Sequence, residues 1–273
     1  MTAVARLEAS PLAAFSPTAE DVSSMVGGLP SVDLPSLDAG AALLTRVDRK
    51  YVVPVATFER LVHTLGDEWS VLEIDGNRLF GYSSVYFDTP DLLTYRAHLQ
   101  GRRRRYKVRV RRYVDSDDCM LEVKRKGPRG RTIKERRPHA SWLQADLGED
   151  GRQFVLDSLR MHGDLPVSTF GPVVATTNRR ATLTSSTETA RLTVDADLTC
   201  GWGGSTTALR AGHVVLESKV EGHASSVDRL LRALGERPAV ISKYCIGVAS
   251  LDLGVPSNPW RRTLRTFFDT PHT

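Results

Sequence analysis

Residues 105–113 read RYKVRVRRY, and residues 121–136 read LEVKRKGPRGRTIKER. In the first segment Lys107, Arg109 and Arg111 alternate with Tyr106, Val108 and Val110. In the second, Glu122, Lys124 and Lys126 alternate with Leu121 and Val123, and Lys134 and Arg136 oppose Ile133. Side chains of a β-strand point to opposite faces with period two, so each segment reads as a strand with one apolar and one ionic face. The pattern recurs at a distance. Arg46, Asp48 and Lys50 oppose Val47 and Tyr51; Arg191, Thr193 and Asp195 oppose Leu192 and Val194; Glu217 and Lys219 oppose Val214, Leu216 and Val220.

An antiparallel sheet wetted on one side produces such alternation routinely. A solvated face, however, draws on Thr, Ser and Gln, whereas this one is almost wholly ionic and mixes acids with an excess of bases. The pattern predicts an α+β fold: a closed antiparallel β-barrel with a charged interior and helices packed outside. Buried cations without counter-charge are costly, so that interior has to hold water, anions and a metal ion on its carboxylates.

The charge distribution points the same way. The 273 residues carry 37 Lys/Arg and 32 Asp/Glu, a net charge of +5. Between Arg102 and Arg137 stand 16 basic and 5 acidic residues, a balance of +11; the rest of the chain holds 21 and 27, a balance of −6. A polyanion is the first partner to consider. No apolar run approaches the ~18 residues needed to cross a bilayer, and the amino terminus lacks the pattern of a secretory signal. Cys119, Cys200 and Cys245 are widely spaced and odd in number, which suits a reducing cytoplasm.

Residues 1–40, rich in Ala, Ser, Pro and Asp, are expected to be a disordered leader. Residues 41–254 form one domain, and 255–273 a tail that Trp260, Phe267 and Phe268 could dock. Helices are expected after Pro54, over about 152–162 ending at Gly163, from a Ser225 or Ser226 cap to Gly235, and around 242–252. A short helical turn is expected within 88–99.

The ordered set RVDRKYVV (46–53), VYFDTPDLLTY (85–95), RYKVRVRRY (105–113), LEVKRKGPRGRTIKER (121–136), RRATL (179–183), RLTVDADL (191–198), VVLESKV (214–220) and ISKYCIGVAS (241–250) resembles the VTC-type polyphosphate polymerase domain, a branch of the triphosphate tunnel metalloenzymes. That resemblance implies a basic tunnel binding a triphosphate and a metal. It assigns Lys50, Arg109, Arg111 and Lys124 to catalysis, and Lys134, Arg180, Lys219, Ser242 and Lys243 to phosphate binding. Glu217, helped by Glu122 or Asp195, would bind Mn²⁺ or Mg²⁺. The chain departs from the family where Asn178-Arg179-Arg180 replaces Tyr-x-Arg, where Val240 replaces a basic residue, and where either Arg96 or His98 would supply an arginine. The outward Leu183 favours Arg180 over Arg179 as the inward residue.

The implied reaction transfers the γ-phosphate of ATP, or of another triphosphate, to inorganic polyphosphate. Arg binds phosphate oxygens as a fork, Lys as a point charge, and the transfer itself needs positioning and charge neutralisation. Triphosphate hydrolysis and a non-catalytic sensor remain alternatives. Nucleic acid is disfavoured, since only Tyr106 and Tyr113 are near for base stacking and carboxylates sit among the bases. A membrane-protein partner is not visible in the sequence. The run Arg102–Arg105 reads as a solvated turn that could gather anions, His139, His162 and His213 as surface residues, and Gly201–Gly204 as a hairpin loop.

Overall fold

Alternation becomes pairing once the strands find partners. The computed structural model describes residues 14–39, 46–127, 132–161, 169–222, 224–251 and 253–269. The strands are β1 (Ser31–Val32), β2 (Arg46–Pro54), β3 (Trp69–Leu72), β4 (Phe80–Asp88), β5 (Tyr106–Tyr113), β6 (Cys119–Lys126), β7 (Thr132–Pro138), β8 (Gly171–Ser185), β9 (Ala190–Trp202), β10 (Ser205–Ala208) and β11 (His213–Glu221). The helices are α1 (Pro17–Gly27), α2 (Leu34–Ala39), α3 (Val55–Leu65), α4 (Leu93–Leu99), α5 (Gly148–Met161), α6 (Ser226–Ala233), α7 (Lys243–Ser250) and α8 (Asn258–Phe267). One sheet runs β2-β11-β9-β8-β4-β5-β6-β7 with antiparallel neighbours.

The fold is thus α+β with a large antiparallel sheet, but the barrel is not closed by hydrogen bonds. β2 and β7 end the path and do not pair with each other. β7 explains this locally: Lys134, Arg136 and Pro138 stand exposed along it, and charge and proline are the usual means of blunting a strand edge. The sheet still curls. The carboxylate of Glu217 on β11 and the ammonium of Lys50 on β2 act on Lys124 of β6, five strands away from β11 in the pairing order.

The apolar faces point outward and are covered. Tyr51, Val53, Leu183, Val194 and Leu216 pack with Phe58 and Leu61 of α3 and Val227 and Leu231 of α6. Val108, Val110, Leu121 and Val123 pack with Val155 and Leu159 of α5. A third apolar group lies at one end of the curled sheet. There the inward residues change from ionic to apolar at Val52, Val174, Leu198 and Val215, and these bury against Tyr244, Cys245 and Ile246 of α7. Gly247 permits that close approach, since a Cβ there would lie 2.6 Å from Cγ2 of Val174. The lumen is therefore blocked by apolar packing at the α7 end.

The helices expected from periodicity form after Pro54, around Ser225 and around 242–252, as α3, α6 and α7. α5 starts at Gly148, four residues before the expected 152; Gly163 and His162 lie outside the described residues. Residues 14–39 correct the expected leader. Ser16 accepts a hydrogen bond from the Ala19 amide, Pro17 follows at the first turn, and Ala19, Val22 and Val26 are fully buried in the outer core. Their spacing of three and four residues is helical, hidden in the composition by Ser, Asp and Glu between them. Residues 1–13 and 40–45 lie outside the described residues. The tail docks as α8, burying Trp260, with Phe268 just beyond it.

Candidate functional site

The ionic faces line the lumen in three linked ion clusters. On β2 and β11, Glu217 lies 3.0 Å from the Lys219 ammonium and 3.6 Å from that of Lys50. Burial pushes its carboxyl up, but Lys219, Lys50 and Lys124 outweigh burial and hold it well below the usual range. On β5 to β7, Arg109 donates from Nε to Glu122 at 2.6 Å, and Lys134 lies 3.6 Å from the other carboxylate oxygen. Glu122 is 1% exposed; burial raises its pKa, yet Arg109, Arg111 and Lys134 bring it down to about 2.

The third cluster is centred on Asp195 of β9. Arg180 of β8 grips it bidentately, from Nε at 2.6 Å and from an Nη at 2.8 Å. Asn178 donates to the same carboxylate at 3.0 Å, and Lys243 lies 2.8 Å from it. A β-bulge lies beside this cluster. The register between β8 and β9 shifts between Thr177 and Arg179, and Asp197 takes a positive φ of 54°. The bulge turns Asp197 to the outer surface, where Ser16 hydrogen-bonds it and Arg179 lies 3.9 Å away. Arg180 thus faces the lumen and Arg179 does not.

α7 reaches this cluster from the blocked end. Ser242 caps it, accepting from the Cys245 amide at 3.3 Å and from the Lys107 ammonium at 2.7 Å. Lys243, the first helical residue, hydrogen-bonds Asn178 as well as Asp195. Burial pushes Lys243 down to about 7 and Lys107 down to about 8. The helix is anchored by Tyr244, which donates to the buried Asp88; that carboxylate also accepts from the Thr94 and Tyr95 amides and so caps α4.

The structure brings together Lys50, Arg109, Arg111, Lys124, Arg180, Lys219, Lys243, Glu122 and Glu217 on one inner surface, with Lys134 at its exposed edge and Ser242 at its end. Two groups there went unassigned in the sequence. Lys107 was on the ionic face of a matching segment but was given no role, and its contact with Ser242 shows its place. Asn178 read as a lost tyrosine, whereas it bridges Lys243 to Asp195. Neither Arg96 nor His98 supplies the extra arginine: Arg96 is exposed, and His98 packs edge-on to Tyr244.

Most of these cations have carboxylate partners. Lys107, Arg111 and Lys124 have none among the described residues. Arg111, 8% exposed, makes a 3.3 Å hydrogen bond to Ser84 and faces the Tyr82 ring. Burial pushes Lys124 down to about 7. Such groups favour an incoming anion, because its charge replaces solvation they have lost.

The two carboxylates expected to hold a metal stand in separate clusters, and no three His, Cys, Asp or Glu residues converge among the described residues. Glu217 and Glu122 are the hard oxygen donors that a divalent cation takes, and each is paired with Lys or Arg side chains in this structure. No helix among the described residues is long and apolar enough to cross a membrane.

Comparison with solved structures finds distant resemblance. A "putative adenylate cyclase" from Bacillus halodurans is 18% identical, with 72% of this chain and 93% of that one covered and a TM-score of 0.46. A "putative adenylyl cyclase" from Hippeastrum, described as having a dominant triphosphatase activity, is 14% identical, with coverages of 74% and 95% and a TM-score of 0.46. A conserved hypothetical protein from Pyrococcus furiosus is 12% identical, with coverages of 71% and 92% and a TM-score of 0.39. No curated protein matches the sequence. A family model described as the VTC domain matches residues 45–252, which span every lumen residue named above. The chain belongs to the VTC domain family.

Proposed function

We propose that the chain binds triphosphates in this lumen and acts as a polyphosphate polymerase, moving the γ-phosphate of ATP onto a growing polyphosphate chain. The observation that carries the reading is the set of cations without carboxylate partners among the described residues, the buried Arg111 and the half-buried Lys107 and Lys124, beside cations already oriented by Glu122, Asp195 and Glu217. A triphosphate carries about four negative charges near neutral pH and would compensate them.

Phosphoryl transfer needs in-line positioning and neutralisation of the transferred group. Arg109 and Arg111, on adjacent inward positions of β5, and Arg180, two strands away on β8 and facing the same Tyr82 ring as Arg111, would orient phosphate oxygens through their forks. Lys50, Lys124, Lys219 and Lys243 would supply point charges around the transferred group, with Lys134 and Ser242 at the margins. The nucleophile, a terminal phosphate oxygen of the chain, is already ionised, so no general base is required. It bonds to the γ-phosphorus as the bond to the β–γ bridging oxygen breaks, and ADP leaves with that electron pair. Mn²⁺ or Mg²⁺, held by Glu217 or Glu122 together with phosphate oxygens, would act as a Lewis acid on the transferred group.

The apolar block at the α7 end favours a second reading, triphosphate hydrolysis, because a long product would have to leave on the same side as the substrate arrived or along the β2–β7 seam. One experiment separates the two. Purified protein is incubated with ATP and Mn²⁺ or Mg²⁺, and ADP, free phosphate and polyphosphate are resolved. ADP with long chains supports the polymerase; free phosphate without chains overturns it in favour of hydrolysis. Binding without any turnover overturns both.

A further inference from the structure

Outside the lumen, exposed arginines gather on one face of α8. Its residues Asn258, Arg261, Arg262, Arg265 and Thr266 recur at three- and four-residue spacing and so share one face. Together they line a surface concavity of about 500 Å³. The opposite face is spent on the core: Trp260 is 4% exposed, Thr263 is buried, and Leu264 and Phe267 pack against the α7 cluster. Arg261, Arg262 and Arg265 are exposed and have no carboxylate partner among the described residues. Arg210, paired with Asp269 at 3.8 Å, donates to the Thr266 and Arg265 carbonyls at the C-terminal end of the helix and so adds no uncompensated charge to the rim.

We infer that this concavity is a second, external binding site for a short phosphate chain, such as inorganic tripolyphosphate or the end of a longer polymer. Guanidinium forks match phosphate oxygens bidentately, and Asn258 and Thr266 add neutral donors at the same concavity. A single-stranded nucleic acid fits less well, since the aromatic side chains of α8 face inward and leave nothing for bases to stack on. A bilayer also fits less well: the face exposes no apolar side chain to insert, and it is concave. The inference shares with the proposed function only its ligand class, and the two sites are scored separately below.

The test uses the full chain and inorganic tripolyphosphate, titrated calorimetrically at low salt. Wild type should show two binding events. Changing Arg261, Arg262 and Arg265 together to Gln should weaken one event by at least about tenfold and leave the melting temperature unchanged, because all three side chains are exposed. Arg111→Ala with Lys124→Ala should remove the other event and spare the first. A single wild-type event abolished by the lumen pair would overturn the inference, as would two events unaffected by the Gln changes. So would arginine-dependent flotation with phosphatidylglycerol vesicles, or arginine-dependent oligonucleotide binding, in a protein that takes up tripolyphosphate once. Loss of the lumen event alone would count against the proposed function and not against this site.

Discussion

The ammonium of Lys243, the first residue of α7, lies 2.8 Å from the carboxylate of Asp195 in the middle of β9. A helix that blocks one end of the lumen therefore also delivers a cation to it. Asp195 is 2% exposed and is shared with Arg180 and Asn178. Asp195→Asn should cost about 3–5 kcal/mol, because it strips the counter-charge from two buried cations. Thermal denaturation measures the loss, and added tripolyphosphate should recover more stability in the variant than in wild type. Equal melting temperatures would contradict the arrangement.

Lys124 should be the most sensitive single contact for a triphosphate. It faces Glu217, Lys50 and Arg109 but has no ion-pair partner of its own among the described residues. Lys124→Ala should weaken tripolyphosphate binding about 10- to 100-fold, the worth of one charge-assisted hydrogen bond, with the fold retained. Titration calorimetry gives the constant and circular dichroism the control.

Acidity should move stability and binding in opposite directions. Burial holds Lys124 and Lys243 at about 7, against an ordinary 10.5, so between those values the unfolded chain binds more protons than the folded one. Their contribution to stability is therefore unfavourable below pH 7 and is relieved as pH rises toward 10.5. A polyanion prefers the protonated lysines, so its affinity should fall from pH 6 to pH 8.5. Binding near pH 7.5 should take up protons, which shows as heats that depend on the ionisation enthalpy of the buffer.

Gly247→Ala should damage the site from outside it. The added methyl would sit 2.6 Å from Val174 and 3.3 Å from Cys200, forcing α7 off β8 and β9. A loss of about 1–3 kcal/mol is expected, with weaker tripolyphosphate binding as Lys243 withdraws. Stability lost without any change in binding would show that α7 does not position Lys243.

Tyr244→Phe tests the same anchor from its polar side. The hydroxyl donates to Asp88, which is buried and also caps α4. Removing it should cost about 1–3 kcal/mol, because a buried carboxylate loses one of its donors. Chemical denaturation of variant and wild type checks this, and equal stabilities would show that the hydroxyl does not anchor α7.

The inward residues were legible because period two is enforced at every strand position: Arg109, Glu122, Lys124 and Glu217 could be placed from their neighbours alone. The bulge at Asp197 was not, since an extra residue in one strand leaves no mark on the alternation of the other. The choice between Arg179 and Arg180 was drawn instead from Leu183, and agrees with the Asp195 clamp. α1 was obscured by composition although its cap and its Ala19, Val22 and Val26 spacing were present. Whether β2 and β7 meet was beyond the pattern. Closure depends on backbone geometry across the ends of the sheet, which alternation does not encode.

The pairing of β2 with β11 joins residues 46–54 to residues 213–221. On a ribosome, β2 is synthesised early and stays without its hydrogen-bonding partner until most of the chain has appeared, and Lys243 follows later still. Such non-local closure slows folding and lengthens exposure of an unpaired strand. The lumen is thus a late product of synthesis. A chain interrupted before α7 would carry most of the cations but neither Lys243 nor the residues that block the lumen's end, so a truncated product should be aggregation-prone before it is merely inactive.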